Sequence, residues 1–496
     1  MRLVMKWCAI GLVLLSGTFS LATGVTTTLS PAVGPPTTNV QVSGAGFPAS
    51  TAVDIYFDTT DEVLAVTSAT GTFSGIVVKV PASAVPGAHW ITAVARGTSG
   101  KAAQAAFTVQ TNWSQSRYSA PQRGVNPFEN LLSASTVGTL DLDWLFPTGG
   151  GINSTPAVVN GVIYVGSYDD NLYAINAATG AQIWKFTTGS AIYFSSPAVA
   201  NGIVYIGSTD SNLYAINATT GTLVWKFTTG NFVEASPTVA NGLVYFGSGD
   251  SNVYALNAVT GAQVWKTATG TNILVSSPAV ANGVVYVGSL DGNVYALNAG
   301  TGVVLWKHLT SGVVYSSPAV SNGVVYVGSS DTNLYALNAR SGSPRWLFPT
   351  GNTILSSPAV SNGLVYVGSE DNSVYAVNAS TGTQVWKYTT ANLVFSSPVV
   401  ANGVVYVGSN DGNVYALDAR AGTLLWQAST GGTVELGPTV ANGTVYVPSG
   451  DSNLYAFDLA ASTMAAKFRP PERPEPASLQ PDFTLTPYVG GKTIRR

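Results

Sequence analysis

Residues 316–346 read SSPAVSNGVVYVGSSDTNLYALNARSGSPRW, and the reading of this stretch decides the fold. Its core returns with small edits along the chain. The Asn-Gly pairs stand at 160, 201, 241, 282, 322, 362, 402 and 442, with gaps of 40 or 41 residues. A period of that length with several strand-like runs per unit points to a propeller or an array. Each unit reads as four strands. Ser317-Pro318-Ala319-Val320 leads into Asn322-Gly323, the strongest short hairpin signal. Val324-Val325-Tyr326-Val327 follows, then a turn around Asp331 and Asn333, then Leu334-Tyr335-Ala336-Leu337. A last turn at Ser341-Gly342 opens a fourth strand around Trp346. Four short antiparallel strands per repeat make a propeller blade.

The tryptophans at 144, 184, 225, 265, 306, 346, 386 and 426 keep the same spacing. Trp144 precedes the first Asn-Gly pair, so its strand has no inner strands before it. The last unit ends at Leu454-Tyr455-Ala456-Phe457 without a tryptophan strand. The two incomplete ends complement each other. The expected fold is therefore all-β: an eight-bladed propeller over 144–458, closed when residues Asp141 to Phe146 supply the outer strand of the last blade. The tryptophans read as packing anchors between blades, since burial of a large apolar side chain is worth ~1.5–3 kcal/mol.

Units of the form SSPAVANGVVYVGSLDGNVYALNAGTGVVLWK, residues 276–307, resemble the pyrroloquinoline-quinone (PQQ)-type propeller repeat. That family includes quinoprotein dehydrogenases. It also includes propellers that bind no quinone, such as the assembly lipoprotein of the outer-membrane β-barrel machinery.

Outside the repeats, the first 24 residues have Arg2 and Lys6 ahead of a short apolar run and small residues near Ala22, the pattern of a secretory signal peptide; a retained anchor is the competing reading. Cys8 is the only cysteine, so a processed chain has no disulfide and no thiolate ligand. Residues 25–109 alternate apolar and polar positions between Pro, Gly and Ser turns, as in a small immunoglobulin-like sandwich. Residues 110–143 form an entry segment or linker, and the Pro-rich tail 459–496 reads as extended and disordered. Beyond the first residues no apolar run is long enough for a membrane helix. The net charge of −3 is too small to argue for nucleic acid or an anionic membrane, and no nucleic-acid partner is expected.

Chemistry is hard to place on this chain. Only His89 and His308 are present, so no nucleophile–base pair is evident. The turns with Asp210, Asp250, Asp291, Asp411 and Asp451 share an Asp-x-Asn pattern that suits either calcium or a hairpin turn. A site should be unique, whereas a turn repeats. Three residues before each blade proline the repeats disagree, with Asn153, Phe194, Glu234, Val275, Tyr315, Leu355, Phe395 and Glu435. Inner strands line the channel of a propeller, so these eight residues are the candidate binding ring at its mouth, apolar apart from two carboxylates. The expected function is an exported, non-catalytic binding or scaffold protein at the cell surface or in the periplasm, with a protein or surface-polymer partner and no cofactor. Two alternatives compete, a PQQ-dependent dehydrogenase using calcium and a carbohydrate or cell-wall binder. The resemblance implies for the dehydrogenases a calcium ion, a catalytic aspartate, an arginine and often a disulfide; here the disulfide is absent, and Arg340, Arg345 and Arg420 fall on outer elements.

Overall fold

The computed structural model describes residues 24–97, 101–460, 472–482 and 484–485. The proposed signal peptide therefore lies outside the described residues, apart from Gly24. The chain forms two compact units, one of residues 1–110 with 469–496, the other of residues 111–468.

In the first unit two β-sheets share one core. Thr26–Ser30, Asn39–Ala45 and Phe73–Lys79 make a three-stranded sheet, while Ala52–Phe57, Thr60–Val66, Gly87–Ala95, Ala102–Val109 and the short Val33–Gly34 make a five-stranded one. Val40, Val42 and Val78 from one sheet meet Val53, Ile55, Ile91 and Phe107 from the other. The alternation in Asn39–Ala45 places every second residue inward, as a pleated strand with one solvated face requires. The tail departs from its expected disorder at residues 472–482, which lie on the five-stranded sheet. Arg473 Nε donates to Gln104 Oε1 at 2.6 Å and its guanidinium covers the Trp90 ring at 4.8 Å. Gln104 Nε2 donates to the Pro474 carbonyl, and the Asp482 N–H to Asp61 Oδ2. A Pro-rich segment has little to bury but keeps its carbonyls free, and polar side chains of the sheet capture them.

The second unit is a β-propeller. Among the described residues eight sheets follow one another in chain order, each with four antiparallel strands of the repeat, and Val125–Asn126 adds a fifth, parallel strand beside Val399–Ala401. In the unit quoted above these are Ala319–Ser321, Val324–Gly328, Asn333–Asn338 and Pro344–Pro349. Asn322 and Gly323 sit at φ 50° and 73°, the two positive values that a tight primed hairpin turn demands. The last sheet takes its outer strand from Leu140–Pro147, which pairs antiparallel with Asn453–Leu459, Leu145 opposite Tyr455. Head and tail of the repeat region are thus joined in one ladder.

Cores form between neighbouring sheets. Ala319, Tyr326, Leu334 and Phe348 of one sheet pack on Val360, Val365, Val367 and Tyr375 of the next. At seven junctions a tryptophan indole N–H donates to an alanine carbonyl of the following sheet, as from Trp306 to Ala339 at 3.0 Å, while Trp426 donates to the Leu140 carbonyl. Trp144 makes the same bond to Ala177, so one side of the seam uses the junction chemistry of the other sheets. A glycine lies under seven of the eight indoles, all but that of Trp426; a Cβ built on Gly342, at φ 69°, would stand 2.5 Å from Trp306 Cε3.

Residues 111–143 belong to the propeller unit and do more than link. Short inner strands leave one row of backbone groups without a sheet partner. The segment 113–126 meets that row sheet by sheet, in chain order. Val158 exchanges both backbone bonds with Trp113, and Val199 donates to the Ser114 carbonyl. Val239 donates to Gln115 Oε1. Val280, Val320, Val360 and Val400 donate to the carbonyls of Ala120, Pro121, Arg123 and Gly124. Asn126 Nδ2 completes the circuit at the Val440 carbonyl.

Candidate functional site

Seven of the eight mouth residues, all but Asn153, line one cavity of 490 Å³ on the propeller. Asn153 is buried beside it. Its Nδ2 donates to Glu435 Oε2 at 2.6 Å and to the Tyr168 hydroxyl at 2.7 Å, tying the first repeat to the last. Tyr168, Tyr193 and Phe194 continue the contact as a run of rings, with centroids 4.8 and 4.2 Å apart. Phe194 sits at φ 60°, a strained conformation for a bulky residue, of the kind that clusters at ligand clamps.

The two mouth carboxylates differ. Glu435 is engaged by Asn153 and by Thr433 Oγ1 at 3.3 Å. Glu234 has no hydrogen-bond or ion-pair partner among the described residues, and loss of solvent around it pushes its carboxyl up to about 7.

Below the mouth the wall turns polar through the residue preceding each blade proline. The backbone N–H of Ser196 donates to Ser236 Oγ, that of Ser236 to Ser277 Oγ and that of Ser277 to Ser317 Oγ, each at 2.9–3.0 Å. Ser317 and Ser357 continue the chain of bonds to Ser357 and Ser397. It stops at Gly437, where a Cβ would lie 2.5 Å from the Ser397 carbonyl oxygen. Ser116 and Arg117 also line this cavity. Arg117 is buried, at φ 56°, and its Nε donates to the Gln122 carbonyl at 3.2 Å while Nη2 donates to that of Pro358. Nη1 has no partner. With no carboxylate beside it, burial brings the guanidinium down to about 9.

Arg117 and the serine wall were not among the residues singled out from the sequence. The serines repeat in nearly every unit, which hides a site inside a structural motif. Arg117 stands outside the repeats, where no period gives it an address. The sequence reading of a mouth with two charges of one sign thus becomes a cup with carboxylates at its mouth and a buried cation in its lining.

A second cavity of 530 Å³ touches the entry segment and the Asn-Gly turns of three repeats. Its Glu129 is fully engaged, with Oε1 accepting the N–H groups of Leu131 and Leu132 and Oε2 that of Gly443.

The repeat aspartates hold the turns. Asp331 Oδ2 accepts the Tyr335 hydroxyl at 2.6 Å and the Ser311 N–H at 2.8 Å, and Oδ1 accepts the Asn333 N–H at 3.0 Å. Burial by itself would raise its carboxyl, but these donors outweigh it and hold it below the ordinary value. Their oxygens are therefore poor candidates for calcium. Among the described residues no group of three or more His, Cys, Asp or Glu side chains is placed to hold a metal. A quinone held by calcium needs several oxygen ligands at one point. The cup offers Glu234 alone and Glu435 already bonded, so the residues present do not fit that pair of groups.

Sheets of four strands, tryptophan-anchored junctions and an axial cup define a PQQ-type β-propeller. The chain belongs to the outer membrane protein assembly factor BamB family, whose model matches residues 110–231, 217–346 and 308–463. The structure of BamB from Moraxella catarrhalis superposes with a TM-score of 0.57 at 20 % identity, covering 64 % of this chain and 99 % of that one. The quinohemoprotein alcohol dehydrogenase from Comamonas testosteroni gives 0.62 at 16 % identity, covering 70 % of this chain and 80 % of that one. A tetrathionate hydrolase from Acidithiobacillus ferrooxidans is 36 % identical over 78 residues, 16 % of each protein. The chain thus matches well under two thirds of that relative's length, and the structural likenesses are likenesses of fold. No helix of the described residues is long and apolar enough to cross a membrane.

Proposed function

We propose that the protein is an exported, non-catalytic propeller that binds a partner or ligand at its axial cup. On this reading residues 1–24 are a signal peptide, the two-sheet unit is an immunoglobulin-like accessory module, and the eight sheets are the blades of one closed ring. The observation that carries it is convergence. Nearly identical repeats bring their most variable residues to one cup, and no nucleophile–base pair or metal cluster accompanies them among the described residues. A rigid ring with variable side chains at one mouth suits recognition. The family of assembly factors supports protein partners and an extracytoplasmic location.

The dehydrogenase neighbour favours a second reading, quinone-dependent oxidation. Titration of the purified chain with PQQ and calcium separates the two. The expected result is no saturable uptake and no alcohol-dependent dye reduction. Binding at one quinone per chain with dye reduction would replace the first reading by the second. For the binding reading, Val275→Trp fills the cup and is expected to abolish co-purification of the native partner while leaving the melting curve in place.

A further inference from the structure

The wall of the cup carries hydrogen-bond donors that the protein does not use. A serine hydroxyl has one hydrogen to donate and two lone pairs. In Ser196, Ser236, Ser277, Ser317, Ser357 and Ser397 the oxygen already accepts a backbone N–H from the preceding repeat, at 2.9–3.0 Å. None of the six hydroxyl hydrogens has an acceptor among the described residues, and all six groups line the cavity. The repeat therefore turns every oxygen toward a neighbour and leaves every hydrogen for the cavity.

Arg117 adds charge. Its guanidinium is buried, and among the described residues Nη1 is unpartnered and no carboxylate lies within ion-pair distance. An uncompensated buried cation is costly, and a low-dielectric site carries its field well. The apolar throat of Val275, Leu355 and Phe395 suits a hydrocarbon or aromatic body. The mouth carboxylates, Glu234 and Glu435, oppose a second negative charge at the outer end.

We propose that the cup receives a small organic monoanion, a monocarboxylate with an apolar body, whose carboxylate accepts from the serine hydroxyls and balances Arg117. This rests on the reading of the cup as a binding site and names what it takes. A polyanion such as a tricarboxylic quinone is disfavoured by the same mouth that tolerates one buried charge.

Calorimetric titration of the full chain with hexanoate, hexanamide and hexylamine tests it. Hexanoate is expected to bind 1:1 and at least about tenfold tighter than the neutral amide, the worth of a charged hydrogen bond. Glu234→Gln is expected to tighten hexanoate about threefold by removing a mouth charge. Ser317→Ala is expected to weaken it by a similar factor, with a lower but still cooperative melting transition because the Ser277 N–H loses its acceptor. Arg117 also braces the entry segment, so Arg117→Gln is read only if its melting curve is normal, and the Glu234 and Ser317 variants carry the test otherwise. Equal affinity for the amide, or tighter hexylamine, overturns the anion assignment and leaves the cup as a binding site. Absence of binding by all three probes overturns the assignment; if Val275→Trp also leaves partner capture unchanged, the binding reading of the cup falls separately.

Discussion

Asp331 shows how one residue does structural work in eight places. Its Oδ2 lies between two donors, the Tyr335 hydroxyl and the Ser311 N–H. Asp331→Asn keeps the shape but turns an amide N–H₂ toward one or both of these donors. The expected cost is about 1–3 kcal/mol, the penalty for leaving part-buried polar groups unpaired, read as a lower urea midpoint at pH 7. An unchanged midpoint would mean that solvent replaces both bonds. The tyrosine four residues on is as much part of this turn as the aspartate. The spacing Asp-x-Asn-x-Tyr repeats in the sequence, but the reading stopped at Asn because metal and turn chemistry both end there. The arginine of the cup was harder to see, since a residue in an unrepeated segment has no equivalent positions to compare.

At the scale of the element, the outer strand is held by its ladder and by its tryptophan. Strand Val304–Leu309 is mostly exposed, with Val304, Leu305 and Leu309 at 42–68 %. Trp306 turns inward, packs on Tyr286 at 5.8 Å and donates to the Ala339 carbonyl. Trp306→Ala should cost about 3 kcal/mol through lost burial and a vacated junction, and should show as an early loss of near-ultraviolet signal on heating. A variant melting with the parent would mean that adjacent sheets close the gap. The tryptophan anchors were legible from spacing alone. The glycine beneath seven of the indoles is legible only afterwards, because a positive φ and a ring overhead are properties of three dimensions. The circuit made by residues 113–126 was likewise hidden. Its bonds run mostly through backbone carbonyls, which no side chain announces.

For the whole molecule, repetition sets both legibility and response to acid. All eight turn aspartates have carboxyls held below the ordinary 3.8, burial opposing and the donors prevailing. A carboxyl depressed on folding adds stability above its unfolded pKa and loses it as pH falls through the folded value. The stability these aspartates supply is therefore expected to be fully present near pH 6 and lost steeply below about pH 4, as melting temperatures across that range would show. Level melting temperatures down to pH 2.5 would contradict it. The order of sheets, the hairpins and the pairing of head with tail could be read from the period, while the C-terminal segment on the two-sheet unit could not, since composition argued only for an extended chain. The pairing of Leu140–Pro147 with Asn453–Leu459 also imposes an order in time. The first strand leaves the ribosome some 300 residues before its partner, on the order of half a minute at ordinary rates of synthesis. Throughout that wait it is an orphan edge, and its own sequence, LDLDWLFP, interleaves two acids with the apolar residues and ends on proline, which discourages a neighbouring nascent chain from taking the vacant place.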